Sequence, residues 1–332
     1  MTSASVLTAP PPRIFVVANF VMACCWRVSR LPQPGETFVA SALSMEPGGK
    51  GLNVAIGAHR LGAQVDVMLG IGDDGAGQQL LNLLASEGLG ANYVHKLGAQ
   101  SGYGAGMIAD DGQNAIAVFP GPNLLLTAAH VDQAESAIAA AALVYGQFET
   151  SVPAVQRAFE LARRHGVRTV LNPSPWQAIP APLLAACDVI VANEVEAAHL
   201  LGLVEPLAGQ SAAQVAQLLA PHVAGLWAAL PDVSRTPPLL VVTLGAHGCV
   251  AFESGQLPLP LSAFEVNALD TMGAGDAFAS ALCMALCNGL DLETALTRAN
   301  AAGAWLAAHH GVLDALPTAA QLGAFYASSR IL

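Results

Sequence analysis

Positive charge is the scarcest property of this sequence. Lys and Arg together number 13 among 332 residues, against 24 Asp and Glu, so the formal net charge is -11. The basic residues are scattered rather than clustered. Because a nucleic-acid partner requires concentrated positive charge opposite its phosphates, the composition argues against one. An anionic substrate would need a local positive site, since the field of the whole chain opposes it.

Long apolar runs are missing as well, although 54% of the residues are apolar. Much of this apolar content is alanine, and no run reaches the roughly 20 residues of a membrane-spanning helix. Residues 1–12 are small, polar and rich in proline, without the basic-then-apolar order of a signal peptide. The sequence therefore predicts no membrane partner, a cytoplasmic location and a disordered tail over residues 1–12.

Disulfide and metal-ligand spacings are also absent. The six cysteines include no Cys-x-x-Cys pair, and the nine histidines are scattered. Neighbouring Cys24 and Cys25 point to opposite faces of a predicted strand, while Cys283 and Cys287 share a helix face without other candidate ligands. We expect free thiols in a reducing compartment rather than a disulfide framework or a zinc site.

What the sequence does contain is a regular alternation of helix and strand patterns. Short apolar runs alternate with helical patterns, above all beyond residue 127. The predicted strands of this part lie at residues 13–18, 65–69, 143–145, 169–171, 189–191 and 239–244. Such alternation is typical of a parallel sheet covered by helices on both faces. The sequence thus predicts a three-layer α/β/α fold over residues 13–332, with a mostly parallel central sheet.

Two regions depart from this alternation. Residues 24–28 and 36–44 are predicted strands around a proline-rich turn, and residues 93–118 combine short strands with a hairpin signal at Asp110-Asp111-Gly112. We predict that segments at about 20–46 and 100–120 form a small β-structured lid over the functional site. Residues 227–238 contain three prolines and are predicted to be a surface insertion.

The stretch from Asp270 to Asp276 carries the strongest chemical signal, because it joins a predicted strand end to a predicted helix start. Gly273, Ala274 and Gly275 let the backbone approach a ligand closely, and N–H groups at a helix start attract anions. Asp276 would repel that anion unless its task is to take a proton from the attacking group. Glycine backbone for a transferring phosphate, beside a base for the acceptor hydroxyl, is a phosphoryl-transfer arrangement. The alternative is an ordinary strand–turn–helix whose first-turn acid is favoured by the helix dipole.

Several segments together resemble the ribokinase-like (PfkB) carbohydrate kinases. In chain order they are residues 48–55 with 70–75, residues 171–175, residues 193–196, residues 243–248 and residues 270–276. The resemblance extends from about Arg13 to about Thr318. It implies an ATP-dependent kinase that phosphorylates a hydroxyl, a primary CH2OH, of a sugar or sugar-like substrate. It also implies Mg²⁺ and K⁺ as cofactors and, because exposed lid edges need covering, a homodimer that pairs through the lid.

The resemblance assigns a role to each matching residue. Asp276 would be the base that deprotonates the acceptor, and the backbone of Gly273, Ala274 and Gly275 would form the anion hole. The substrate-binding residues would be Asn19, Gly49, Lys50, Asn53 and Glu149. The nucleotide-binding residues would be Asn193, Thr243, Gly245, Gly248 and Asn300.

Two carboxylates are implicated in cation binding by the same resemblance. Glu196, with Asn193, would organise Mg²⁺ through water, which suits a small cation that dehydrates reluctantly. Asp270 would help to hold a monovalent cation, although Ala315 stands where the family often has a polar residue. Plainer interpretations stay open, because Asn193 and Glu196 also fit a helix cap and its first-turn acid. Lys50 also fits a solvated surface lysine, and Glu149 is proposed from its position alone.

One departure from the family bears on the substrate. The family's sugar kinases place an Asp two residues after the Asn that ends the first strand, and here that position is Val21. The resemblance then implies poor binding of a polyhydroxylated sugar such as ribose, and a preference for a deoxysugar or a nucleoside. The chain also carries a short insertion before Pro34-Gly35-Glu36. The alternative is that this insertion shifts the register, so that Asn19 or Glu149 replaces the missing acid.

Three other functions compete with the sugar kinase. Residues 70–75 formally fit the Gly-x-Gly-x-x-Gly fingerprint of a dinucleotide-binding oxidoreductase, but Asp73 and Asp74 would lie where a pyrophosphate should bind. No Walker Gly-x-x-x-x-Gly-Lys-Ser/Thr loop occurs. A nucleoside kinase of the same fold remains open, as does a non-catalytic sugar- or nucleotide-binding protein.

Overall fold

Helices and strands alternate along most of the chain, in a computed structural model that describes residues 10–111, 113–204, 207–230 and 238–329. The strands are β1 (Arg13–Val17), β2 (Val21–Val28), β3 (Ala42–Gly48), β4 (Gln64–Ile71), β5 (Tyr93–Lys96), β6 (Gly102–Ala109), β7 (Asn114–Phe119), β8 (Leu143–Gln147), β9 (Arg168–Asn172), β10 (Val189–Asn193), β11 (Leu239–Thr243), β12 (Cys249–Glu253) and β13 (Leu259–Leu261). The helices are α1 (Lys50–Arg60), α2 (Gly75–Glu87), α3 (Ala128–Asp132), α4 (Glu135–Ala140), α5 (Val152–His165), α6 (Ala181–Leu184), α7 (Glu194–Leu200), α8 (Ala212–Ala229), α9 (Ala274–Cys287), α10 (Leu292–Ala307) and α11 (Ala319–Ser328). Among these helices, none is both long and apolar enough to cross a membrane.

The larger sheet has nine strands in the order β13-β12-β11-β10-β9-β8-β1-β4-β5. The strands from β11 to β5 are parallel, whereas β12 and β13 join antiparallel at one edge. Side chains alternate between two apolar layers: one contains α1, α2, α9, α10 and α11, and the other contains α3 to α8. The predicted three-layer α/β/α fold with a mostly parallel sheet is confirmed.

The smaller sheet has the order β3-β2-β6-β7 and matches the predicted lid. Strands β2 and β3 are antiparallel, as are β6 and β7 around the predicted hairpin at Asp110 and Asp111. The two pairs are joined by parallel pairing of β2 with β6, so that residues more than 70 positions apart lie side by side.

The predicted lid strands were wrong in their limits. Strand β2 begins at Val21 rather than at residue 24, and β3 covers 42–48 rather than 36–44. The reason is a closed loop before β3: the Arg30 guanidinium binds both oxygens of Glu36, and the Gln33 N–H also donates to that carboxylate. Gly35 turns the chain there with φ 87°. These bonds keep Glu36 out of the strand ladder.

The ends of the chain and the proline-rich stretch are covered only in part. Residues 1–9 of the predicted tail and residues 231–237 of the predicted insertion lie outside the described residues. The described start of that insertion, residues 227–229, is the last turn of α8, so the predicted insertion is wrong at that end. All of the candidate site residues lie within the described ranges.

Candidate active site

The buried carboxylate of Asp276 lies in the first turn of α9, and α1 packs beside it. Its side chain is only 6% exposed, and the Asn53 Nδ2 donates to Asp276 Oδ2 at 2.7 Å. The partner comes from a helix 223 positions away in sequence. Since one carboxylate oxygen is bound by Asn53, Oδ1 is left to face a ligand.

Burial raises the pKa of Asp276 to about 6. The positive charge of Lys50 and the hydrogen bond from Asn53 oppose that increase, while the negative charge of Glu149 adds to it. A base is most effective when its pKa lies near the working pH, and an ordinary aspartate is too acidic for that. An aspartate with this pKa is suited to accept a proton near neutral pH. The charge of Lys50 acts on Asp276, so Lys50 lies at the site. This argues against the interpretation of Lys50 as a solvated surface lysine.

The turn before α9 exposes backbone N–H groups beside Asp276. Gly273 has φ 77°, and a Cβ there would lie 2.5 Å from Val312 Cγ1, so only glycine fits. Around Gly275 a Cβ would meet nothing within 4 Å. The N–H groups of Gly273 and Gly275 find no acceptor among the described residues, whereas Ala274 N–H donates to Thr271 O at 3.3 Å. Free N–H groups at a helix start are suited to an anion.

The loop before α1 and the end of β8 form a second wall of the site. Asn19 is fully buried: its Nδ2 donates to Glu149 Oε2 at 2.8 Å, and its Oδ1 accepts from Gly51 N–H at 2.9 Å. Lys50 N–H donates to the same Glu149 oxygen at 3.2 Å. A Cβ at Gly49 would lie 2.6 Å from Asn19 O. Asn19 therefore orients Glu149, and Glu149 Oε1 accepts no hydrogen bond among the described residues.

Asn123 is a residue of this wall that the sequence interpretation missed. It is fully buried; its Oδ1 accepts from Phe20 N–H at 2.9 Å and its Nδ2 donates to Phe20 O at 2.8 Å. Its own carbonyl accepts from Thr150 Oγ1 at 3.0 Å, directly after Glu149. These bonds fix the backbone of Phe20, between Asn19 and Val21. The only signal in the sequence was the Gly121-Pro122-Asn123 turn.

Asn193 and Glu196 form a reciprocal helix cap at the start of α7. Asn193 N–H donates to Glu196 Oε2 at 2.9 Å, and Glu196 N–H donates to Asn193 Oδ1 at 2.9 Å. The capping interpretation is therefore observed, with Glu196 only 4% exposed. One carboxylate oxygen of Glu196 is left over, and oxygen is the ligand that Mg²⁺ prefers. Within the described residues no group of three or more His, Cys, Asp or Glu could hold a metal directly, so the pair suits a metal bound through water.

The predicted nucleotide residues converge at the ends of β10 and β11. Asn193 is the register partner of Thr243, and Thr243 is the partner of Cys249. Asn300 on α10 lies beside the Cys249 thiol, and its Nδ2 donates to Ser262 O at 3.2 Å. The turn between β11 and β12 requires glycine: Gly245 and Gly248 have φ 54° and 89°, and a Cβ at Gly248 would lie 2.0 Å from Leu261 O.

Asp270 precedes the turn before α9 and organises it. Its Oδ1 accepts from Met272 N–H at 2.9 Å, and Asp270 N–H donates to Ala307 O at 3.2 Å. Its second carboxylate oxygen is available to a cation, while Ala315 O accepts from Trp305 Nε1 at 3.0 Å. Asp270 thus links the end of α10, through its backbone N–H, to the turn before α9, through its carboxylate.

Comparison with known proteins agrees with this geometry. The model of the pfkB family of carbohydrate kinases matches residues 12–319. A ribokinase of Staphylococcus aureus is 34% identical over 293 residues, which are 87% of this chain and 91% of that protein. A deoxyribokinase of Salmonella typhimurium is 27% identical over 314 residues, 94% of this chain and 98% of that protein. The structure of Arabidopsis thaliana ribokinase complexed with ribose and ATP has a TM-score of 0.82 at 25% identity, covering 96% and 99% of the two chains.

The fold and the relatives together define an ATP-dependent phosphotransferase with an alcohol as acceptor. More particularly, the chain belongs to the pfkB family of carbohydrate kinases. The family, the fold class and the kinase class predicted from the sequence are confirmed.

Proposed function

We propose that the protein transfers the γ-phosphoryl group of ATP to a hydroxyl of a sugar or nucleoside, with Asp276 as the general base. The observation that carries this proposal is the buried carboxylate of Asp276, with a pKa of about 6, beside the free N–H groups of the turn before α9. Oδ1 of Asp276 takes the proton of the acceptor hydroxyl while the hydroxyl oxygen attacks the γ-phosphoryl group of ATP, and ADP leaves. The backbone of Gly273, Ala274 and Gly275 stabilises the charge that develops on the transferred group.

The acceptor lies against the wall made by Asn19, Gly49, Lys50, Asn53 and Glu149. Glu149 Oε1 accepts from a substrate hydroxyl, and Asn19 holds Glu149 in place. The Lys50 ammonium supplies the local positive charge that a chain of net charge -11 otherwise lacks. Attraction between this charge and the phosphate helps to bring the two substrates together.

ATP binds along the ends of β10 and β11, next to Asn193, Thr243, Gly245 and Gly248, with its adenine near Asn300. Mg²⁺, when bound, neutralises the charge of the β- and γ-phosphates, and Glu196 holds it through water. Asp270 and neighbouring carbonyl groups hold K⁺, which shapes the turn that forms the anion hole.

The acceptor is a deoxysugar or a nucleoside rather than a fully hydroxylated pentose. The side chain of Val21 has no hydrogen-bonding group, and Val21 lies two residues after Asn19, whose amide binds Glu149 in the substrate wall. A hydroxyl buried against Val21 would be unsatisfied, at a cost of about 1–3 kcal/mol. The deoxyribokinase name among the relatives fits this preference.

The lid also carries an apolar surface that fits a homodimer. By the register of the ladder, Leu43, Met45, Met107 and Phe119 share one lid face, and each is more than a third exposed. Pairing of two lids would bury this surface and cover the edges of β3 and β7. The six cysteines are free thiols, which together with ATP use fits a cytoplasmic enzyme.

The test is ADP release from the purified protein with MgATP and a panel of ribose, 2-deoxyribose, fructose and common nucleosides. We expect turnover with at least one acceptor, and a higher kcat/KM for 2-deoxyribose or a nucleoside than for ribose. Clear preference for ribose would contradict the proposed acceptor, although not the kinase. Binding of ligands without turnover of any acceptor would favour the non-catalytic binding protein instead.

A further inference from the structure

One face of β8 carries two polar side chains into the helix layer that contains α1 and α9. Leu143 and Tyr145 belong to that layer, whereas Val144 and Phe148 belong to the opposite one, so alternation places Gln147 with Tyr145. Tyr145 is fully buried, and its hydroxyl has no hydrogen-bond partner among the described residues. Gln147 is also fully buried, with its Nε2 unpartnered in the same part of the chain.

A third unpartnered atom belongs to the residue that binds Asp276. Asn53 Oδ1 is buried and has no donor within the described residues. The orientation of this amide is forced, because a carboxylate only accepts and the nitrogen must therefore face Asp276. The Gln147 amide is oriented by the same logic, since its Oε1 accepts from the Glu149 N–H. Asn53 Oδ1 is closed to solvent, so it faces the interior rather than a substrate.

Strand β8 packs against both α1 and α9, which carry Asn53 and the proposed base Asp276. Burial raises the pKa of Tyr145 well above its usual value, and the charge of Asp276 is the largest electrostatic contribution, ahead of Cys283, Glu196 and Glu149. Asp276 and Cys283 are seven positions apart and share one face of α9. Ser280, on the same face, donates to Asp276 O at 2.7 Å and Val54 O at 3.3 Å, which draws α9 against α1.

The three atoms are complementary to one water molecule. Gln147 Nε2 is a donor, Asn53 Oδ1 is an acceptor, and the Tyr145 hydroxyl is both. A buried polar group without a partner is costly, and buried waters typically make about three hydrogen bonds to such groups. A water that accepts from Tyr145 and Gln147 and donates to Asn53 would satisfy all three.

We propose that Tyr145 is a positioning residue for the Asp276 base, acting through a buried water that it shares with Asn53 and Gln147. The water polarises the Asn53 amide, which then donates more strongly to Asp276 and favours its ionised form. It also fixes the amide plane, so that Asp276 Oδ1 faces the acceptor hydroxyl. The inference rests on the proposed role of Asp276. Lys50 and Glu149 are the other charged side chains that act on this carboxylate.

The test compares Tyr145→Phe with Tyr93→Phe, which makes the same chemical change on β5, where the Tyr93 ring packs edge-on against Phe15. In Tyr145→Phe the acidic limb of kcat/KM against pH should move to higher pH by about half a unit to one unit. At pH 7.5 that shift alone lowers the ionised fraction by less than about 1.3-fold. We expect kcat there to fall about threefold to tenfold, with little change in the KM for ATP, because Asp276 Oδ1 is no longer held toward the acceptor hydroxyl. Tyr93→Phe should leave the limb unmoved. An unmoved limb in Tyr145→Phe would overturn the proposal, even if that variant were less stable.

A second measurement does not depend on activity or on the folding of a variant. A high-resolution crystal structure of the unmodified protein should contain a water within hydrogen-bond distance of Tyr145 Oη, Asn53 Oδ1 and Gln147 Nε2. If those atoms instead bond to one another, or no water bridges them, the proposal is wrong. If the water is present but Asp276→Asn retains normal turnover, the proposed function fails while the water site stands.

Discussion

Asp276 shows how a single residue acquires its chemistry from its surroundings. An exposed aspartate is ionised at neutral pH and is a weak base, whereas burial brings the pKa of this one to about 6. We predict that kcat/KM for the acceptor falls as the pH is lowered through about 6, because the protonated carboxyl cannot take a proton. Initial rates between pH 4.5 and 8, with the ATP concentration fixed at saturation, measure this limb.

The position of the limb identifies the group that titrates. An ordinary aspartate would place it about two pH units lower, near 4. A limb near 4, or a rate that does not change between pH 5 and 7, would contradict the assignment of Asp276. A denaturation curve recorded at each pH is the control, since it shows whether the protein is still folded under the conditions of the assay.

Val21 is the residue at which the substrate preference is tested. Val21→Asp restores a carboxylate beside the substrate wall, and a carboxylate can accept charge-assisted bonds from two hydroxyls. We predict that it raises kcat/KM for ribose by roughly ten- to a hundredfold, and for 2-deoxyribose by less. Val21→Leu is the matched control, since it changes the volume without adding an acceptor. A loss of ribose activity in Val21→Asp would contradict the proposed register.

The sequence predicted single residues best where covalent geometry restricts the choice. Gly273 was named because glycine lets the backbone approach a ligand closely, and Gly49 because of the family resemblance; each does lie where a Cβ would collide. The roles of Asn19 and Asn53 were harder to predict. Each amide binds a carboxylate more than 100 positions away, Glu149 and Asp276 respectively, and no local pattern reports such a contact.

At the scale of elements, α9 connects the proposed base to the turn proposed as the anion hole. We predict that Gly273→Ala lowers kcat by roughly ten- to a hundredfold, because the left-handed φ of 77° and the contact with Val312 would displace the turn. Gly289→Ala is the matched control at the other end of the same helix. Gly289 has φ 66°, but a Cβ there meets nothing within 4 Å.

The two glycine variants separate strain from displacement. Both should lower the melting temperature, since alanine in the left-handed region costs about 1–2 kcal/mol. Only Gly273→Ala should also lower kcat when both are assayed well below their melting temperatures. Equal kcat values for the two variants would show that the turn does not form the anion hole.

The lid strands were the elements that the sequence predicted least accurately. Their pairing joins β2 to β6 across most of the N-terminal region, and the Arg30–Glu36 ion pair closes the preceding loop. Neither feature leaves a periodic signal. Central strands such as β8 and β10 were easier, because burial on both faces makes them continuous apolar runs between helices.

At the scale of the whole molecule, the exposed lid face predicts assembly. We expect a homodimer at micromolar concentration by light scattering, because Leu43, Met45 and Phe119 are each more than half exposed in the single chain. Met45→Glu should shift the equilibrium toward the monomer, because it places a charge in the apolar contact. Leu257→Glu is the control, since Leu257 is 88% exposed but lies far from the lid, between β12 and β13. A monomeric unmodified protein would contradict the proposed dimer.

The central claim is that Asp276 is the catalytic base, and the turnover of Asp276→Asn tests it most directly. Asparagine keeps the shape of the side chain and removes its negative charge and its basicity. The variant should stay folded, and at pH 7 be as stable as the parent or more so, because the folded state no longer holds a buried carboxylate whose raised pKa disfavours folding as pH rises from 4 through 6. With binding of MgATP confirmed by titration calorimetry, the account predicts a loss of kcat by about 10²–10⁴. A folded, ATP-binding Asp276→Asn variant with near-normal kcat would contradict it.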